Sequence, residues 1–250
     1  MLVYLVQGGG YTYTVEDSIL WRNNYSKEDF VNYVQNVQIP DPSSVGGSCV
    51  VTRQQGWDTY FKSCADRWYD IATSAGIDPI IIMSWAINES AFGSSKIAHD
   101  KANLWGWNAV DGDAYNSATD WSNGTPMNAD GAMTGLQHVC QKMYENVTDP
   151  SNFRYQKAVE AGYEPDSLAG VGTWYASDPN WGNNAIVWMK EIFTDFISQY
   201  CVSGGDILEV AAECWAWVVE NNPTYGGCSI PPSSTIDCSG FVTWVLYEMG

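Results

Sequence analysis

The chain has 250 residues, enough for one large domain or two small ones, with ordinary apolar content at 45% and an aromatic excess of 13 Trp and 15 Tyr. Its formal net charge of −18, from 29 acidic against 11 basic side chains, repels nucleic acid and anionic lipid, so neither is expected as a partner. No apolar run approaches the ~20 residues of a membrane helix, and the first residues lack the basic start of a secretory signal, so membrane insertion is not expected.

Residues 1–48 read as a lead-in without chemistry. Within them Ser26 and Asp29 form a capping pattern ahead of the stripe Phe30, Val31, Val34 and Val37, which predicts one short helix before the breaker run IPDPSSVGG. From Trp57 the apolar positions Tyr60, Phe61, Cys64, Trp68, Ile71 and Ala75 recur at threes and fours and stop at Gly76, which predicts a single amphipathic helix. Asp78-Pro79 is a cap followed by proline at the first helical position. The run PIIIMSWAINESA after it is apolar on nearly every face, as in a helix buried at the centre of a domain, with Glu89 near its far end.

Between Asn103 and Gly131 a Gly-, Asn- and Asp-rich stretch predicts turns or a small hairpin. Helices are predicted again on Leu136, Val139, Cys140, Met143 and Val147, and on Trp181, Ala185, Trp188, Ile192, Phe196 and Tyr200. Residues 49–202 thus read as a mainly helical α+β domain around one irregular or β lobe. A linker, SGGD at Ser203 to Asp206, precedes a further stripe of Ile207, Val210, Ala211, Cys214, Trp217 and Val218. Seven cysteines contain no C-x-x-C pair and only two histidines accompany them; His99 and His138 read as surface residues, and no metal or other cofactor is expected. The odd count of cysteines allows disulfides with one thiol left over, for which Cys238 is the candidate.

A glutamate on a buried apolar helix is either a satisfied structural carboxylate or an acid whose proton is retained by desolvation and given to a glycosidic oxygen. The segments downstream of Glu89 favour the chemical alternative. ESAFGSSKIA, then NLWGW from Asn103 to Trp107, then YASDPNW from Tyr175 to Trp181, occur in that order and resemble the bacterial endo-β-N-acetylglucosaminidases, flagellar- and autolysin-type enzymes of lysozyme-like fold that cut the glycan strands of peptidoglycan. The resemblance spans roughly residues 57 to 200.

It implies that Glu89 is the general acid, that Asn103, Trp105 and Gly106 line the cleft, and that Tyr175 sits near the reacting sugar. Asn108, Asp178 and Trp181, in the same segments, become candidates for holding the glycan: asparagine amides suit N-acetyl groups and indoles suit sugar faces. The second carboxylate of such enzymes is matched here by Asp120 in TDWSNG, with Asp111 and Asp113 as rivals. Bacterial peptidoglycan is the implied partner, a monomer is expected, and the implied location is extracellular, wall-associated or in a phage virion. A muramidase, a lytic transglycosylase or a noncatalytic glycan-binding module would carry the same spacing.

DCSGFVTWVLYEMG, at the end of the sequence, resembles the nucleophile segment of NlpC-type cysteine peptidases, with Cys238 in a first helical turn where the thiolate is favoured. No histidine comes after Cys238, so residues 203–250 read as an incomplete helical start of such a domain, a nucleophile position without its base and without peptidase activity.

Overall fold

The computed structural model describes residues 13–22, 25–178, 180–200, 224–225 and 235–236. Contacts divide the chain into a unit spanning Thr12–Tyr200 and a second unit made of Met1–Tyr11 with Cys201–Gly250. In the second unit the described residues are two short strands, β1 (Thr224–Tyr225) and β2 (Thr235–Ile236), paired in parallel. The SGGD linker, the stripe from Ile207 to Val218 and Cys238 lie outside the described residues.

The first unit is mainly helical. Its helices are α1 (Lys27–Asn36), α2 (Arg53–Tyr60), α3 (Ala65–Ser74), α4 (Pro79–Ser90), α5 (Lys96–Lys101), α6 (Ala114–Ser117), α7 (Ala129–Thr148), α8 (Phe153–Glu160), α9 (Leu168–Tyr175) and α10 (Trp181–Tyr200). α4 is the element around which the others gather. Every residue from Pro79 to Ile87 is buried, as its all-round apolar sequence requires. α10 packs along it, α3 touches it from another side, and α3 in turn carries α1 and α7.

The start of α4 explains why the segment before Trp57 belongs to this unit. Asp78 caps the helix by accepting from Ile80 N at 2.8 Å, and the phenols of Tyr25 and Tyr13 donate to the same carboxylate at 2.8 and 3.0 Å. Tyr25 is itself stacked on Phe30 of α1 and meets Phe196 of α10 edge-on. The lead-in therefore clamps the buried end of α4 and does not merely precede the domain. Burial raises the Asp78 carboxyl above the usual carboxylate range, while the hydrogen bonds from Tyr25, Ile80 and Tyr13 hold it back.

The helix predicted from Trp57 to Ala75 is broken in two. In a continuous helix the Tyr60 carbonyl would take the Cys64 amide; instead the Trp68 indole donates to it at 2.7 Å, and Lys62–Cys64 tightens into a 3-10 turn. A tertiary hydrogen bond from a buried ring has replaced a local one. The predicted caps at Ser26 and Asp78 and the predicted helices α7 and α10 are present.

Residues 103–128 form the small lobe. Of the two forms left open by the sequence it takes turns, with the four-residue α6 and no paired strands. Its return path is pinned to α5 by Trp121 N on Lys101 O at 2.9 Å and Met127 N on His99 O at 2.7 Å. Cys49, Cys64 and Cys140 are free thiols. Among the described residues no helix is long and apolar enough to cross a membrane.

Because Asp78 is raised on folding, its contribution to stability is full below the ordinary carboxylate range and is lost as pH rises through the raised value. Tyr25→Phe removes a donor to the ionised form and should destabilise by about 1–3 kcal/mol at neutral pH, less in acid. Urea unfolding at two pH values checks this; a pH-independent difference would show that the phenol acts through packing alone.

Candidate active site

Glu89 stands one turn beyond Trp85 at the far end of α4, where the helix leaves the core and its carboxyl becomes half-buried. The chain must then turn sharply. Ala91, Phe92 and Gly93 take positive φ in succession (49°, 63° and 76°), and the Ser90 hydroxyl, by accepting from Gly93 N at 2.7 Å, closes the turn. A side chain at Gly93 would strike the Tyr60 ring, and one at Gly56 of α2 would strike the Phe92 carbonyl, so two glycines let α2 lie directly on this turn. The residues of ESAFG after the glutamate are thus a device for ending α4 at a fixed place.

Three rings cluster at the end of α4 beside the carboxyl. Trp85 meets Tyr175 edge-on at 4.4 Å and Trp181 at 4.8 Å, and the Tyr175 and Trp181 centroids are 5.0 Å apart. The Trp181 indole donates to Glu89 Oε1 at 2.8 Å and the Asn88 amide to the same oxygen at 3.3 Å. Burial raises the Glu89 carboxyl above the ordinary carboxylate range, with those two hydrogen bonds opposing the rise. Both donors use Oε1. Among the described residues none hydrogen-bonds Oε2, so a proton on this carboxyl resides on Oε2.

Glu89 opens into a cleft of about 630 Å³. One wall is the small lobe from Trp105 to Ala109 with Asp111, and the other runs from Trp174 to Asp178 and on to Trp181 and Asn184. Six of the residues that the sequence suggests, Trp105, Gly106, Asn108, Tyr175, Asp178 and Trp181, therefore share this cleft with Glu89. Trp105 is fully buried with its ring against Trp68, 5.7 Å between centroids, so it presents no face for a sugar to stack on. Its backbone carbonyl accepts from the Tyr175 hydroxyl, which fixes the phenol across the cleft. Burial, then the nearby Glu89 charge, push the Tyr175 phenol well above its usual value, so it remains a neutral donor. Trp181 acts first on Glu89, through its N–H. Asp178 organises the start of α10, accepting from Asn180 N at 2.8 Å and the Asn184 amide at 3.2 Å.

Two of the expected residues fall outside the cleft lining. Asn103 does not line the cleft: it is buried, its Nδ2 donates to the carbonyls of Trp107 and Thr119 at 3.0 Å each, and its Oδ1 accepts from Trp105 N and Trp107 N. Every hydrogen-bonding site of the amide is used in shaping the NLWGW loop. Asp120 is also outside the cleft; its Oδ1 accepts from Ser122 N at 2.8 Å and Ser122 Oγ at 2.7 Å, an Asx turn. The acidic residue of the lobe that does line the cleft is Asp111.

Two side chains that bear on Glu89 are not marked by the sequence motifs, Asn88 and Trp188. The Trp188 indole donates to Asn88 Oδ1 at 3.2 Å, which turns the Asn88 amide toward Glu89, and Arg53 lies over the Trp188 ring. The signal that could have found them is the seven-residue interval from Trp181 to Trp188, two helical turns, which puts both indoles on one face of α10. Among the described residues no group of acidic, histidine and cysteine side chains converges as a metal site.

Because the Trp181 N–H favours the ionised carboxylate, Trp181→Phe should raise the titration midpoint of Glu89, read by carbon NMR of the carboxyl. An unchanged or lower midpoint would mean that the indole does not hold the acid.

Residues 65–193 match the glucosaminidase family, described as mannosyl-glycoprotein endo-beta-N-acetylglucosaminidase. No curated protein matches the chain. The matched segment contains Glu89 and every described lining residue of the cleft, from Asn88 to Asn184. It covers more than half of the 250 residues, and the chain therefore belongs to the glucosaminidase family of glycoside hydrolases.

Proposed function

We propose that this chain hydrolyses β-1,4 glycosidic bonds in the glycan strands of peptidoglycan, as an endo-β-N-acetylglucosaminidase with Glu89 as general acid. The observation that carries the reading is the state of that carboxyl. Burial keeps it protonated to higher pH than an ordinary glutamate, and the oxygen that holds the proton has no protein partner among the described residues. In the reaction Oε2 gives its proton to the bridging oxygen and the C–O bond breaks with positive charge developing on the sugar; the oxygen of a water then bonds to the anomeric carbon, and the proton that water loses restores the acid form of Glu89.

The neutral Tyr175 phenol and the amides of Asn88, Asn108 and Asn184 supply the polar groups with which a glycan could be positioned. For the second step we assign Asp111 as the carboxylate that steers or replaces water, with the substrate's own acetamido group as the alternative nucleophile. Asp111 is preferred to Asp120 because it lines the cleft and its rival is engaged in a turn.

Glu89→Gln keeps shape and hydrogen-bond capacity but cannot donate an acid proton; it should lower the rate of muropeptide release by about 10²–10⁴-fold while the thermal transition stays in place. Retained activity would sink the assignment of the acid. Asp111→Asn should cost more turnover than Asp120→Asn, assayed on the same substrate. The opposite ranking would return the second role to the Asp120 turn.

A further inference from the structure

In a chain with 29 acidic and 11 basic side chains, the cleft contains one cation among its described lining residues, Arg154 of α8. The acidic side chains Glu89, Asp111 and Asp178 line the same cleft, yet none of the described carboxylates pairs with Arg154. Two rings hold the guanidinium instead. Its Cζ lies 4.5 Å from the Phe153 ring centroid and 5.5 Å from that of Trp174, itself a cleft residue. Phe153 is itself 63% exposed. A guanidinium held against ring faces keeps its N–H groups directed outward in its own plane, where they match the two oxygens of a carboxylate.

A neutral glycan gives such a group nothing to bind. Peptidoglycan does, because every second sugar carries an acidic arm: a lactyl carboxylate where the stem peptide has been removed, or stem-peptide carboxylates where it remains. We propose that Arg154 binds a carboxylate on the muramyl side arm and is thereby the residue that makes the cleft prefer peptidoglycan to uncharged N-acetylglucosamine polymers. The inference rests on the glycosidase reading of the cleft. It adds a charge-recognition point on the α8 wall, remote in sequence from the acid.

Binding is measured by calorimetry with the full 250-residue chain carrying Glu89→Gln to stop turnover, with and without Arg154→Gln. The ligands are stem-bearing glycan strands, strands stripped of stems, stripped strands whose carboxyls have been reduced to alcohols, and chitohexaose. Arg154→Gln should weaken binding of an acidic strand about tenfold or more, the loss of a charge-assisted hydrogen bond, and leave the reduced strand and chitohexaose unchanged. A loss on stripped strands assigns the lactyl carboxylate, and a loss confined to stem-bearing strands assigns the stem. Equal loss on the reduced strand, or no loss on either acidic strand, overturns the proposal. Parallel digestion by the wild-type chain separates the two claims: cleavage of glycan with no Arg154 effect overturns only the charge recognition, whereas absence of both binding and cleavage overturns the glycosidase reading with it.

Discussion

A carboxyl group at the end of a helix that is apolar on every side is the constraint on which the rest of this site depends. α4 cannot lie on a surface, so α3 and α10 must enclose it, and whatever it carries at its end is brought out at the bottom of a cleft. The same apolar enclosure that stabilises the helix raises the Glu89 carboxyl above the ordinary carboxylate range. Fold and acidity have one cause. The sharp left-handed turn at Ala91 to Gly93 then stops the helix at that point, with Gly56 and Gly93 allowing α2 to brace it.

The two ends of α4 show how different partners give similar groups different uses. Asp78 and Glu89 are both raised by burial. At Asp78 both oxygens are engaged, by two phenols and a backbone amide, and the result is a cap that joins Tyr13 and Tyr25 to the core. At Glu89 both donors converge on one oxygen and the other is left to the cleft. A carboxyl satisfied on both oxygens supports structure; one satisfied on a single oxygen can exchange a proton with a ligand. Trp181 and Trp188, two turns apart on α10, are what produce this asymmetry, one directly and the other through Asn88.

How much of this is legible in the sequence depends on whether the responsible interaction is local. The caps at Ser26 and Asp78, the buried character of α4 and the position of Glu89 near its end are local patterns, and they appear as expected. The break between α2 and α3 is hidden because its cause, the Trp68 indole on the Tyr60 carbonyl, is a tertiary contact that the apolar period does not record. Asn103 and Asp120 mislead for a related reason: each stands in a motif, and a motif marks residues that keep a loop's shape as readily as residues that face its ligand. The contribution of Tyr13 and Tyr25 is not legible at all, since a tyrosine in a lead-in gives no sign that its partner is an aspartate more than fifty positions away.

The bond that is cut can be read from the new chain ends. Purified peptidoglycan is digested with the chain, the products are reduced with borohydride, and the reduced terminal sugar is identified by mass spectrometry. If Glu89 protonates the oxygen on the aglycone side of an N-acetylglucosamine residue, every new terminus is reduced N-acetylglucosamine. Termini of reduced N-acetylmuramic acid or of its 1,6-anhydro form would show that the same acid works on the other bond, and would contradict the glucosaminidase reading.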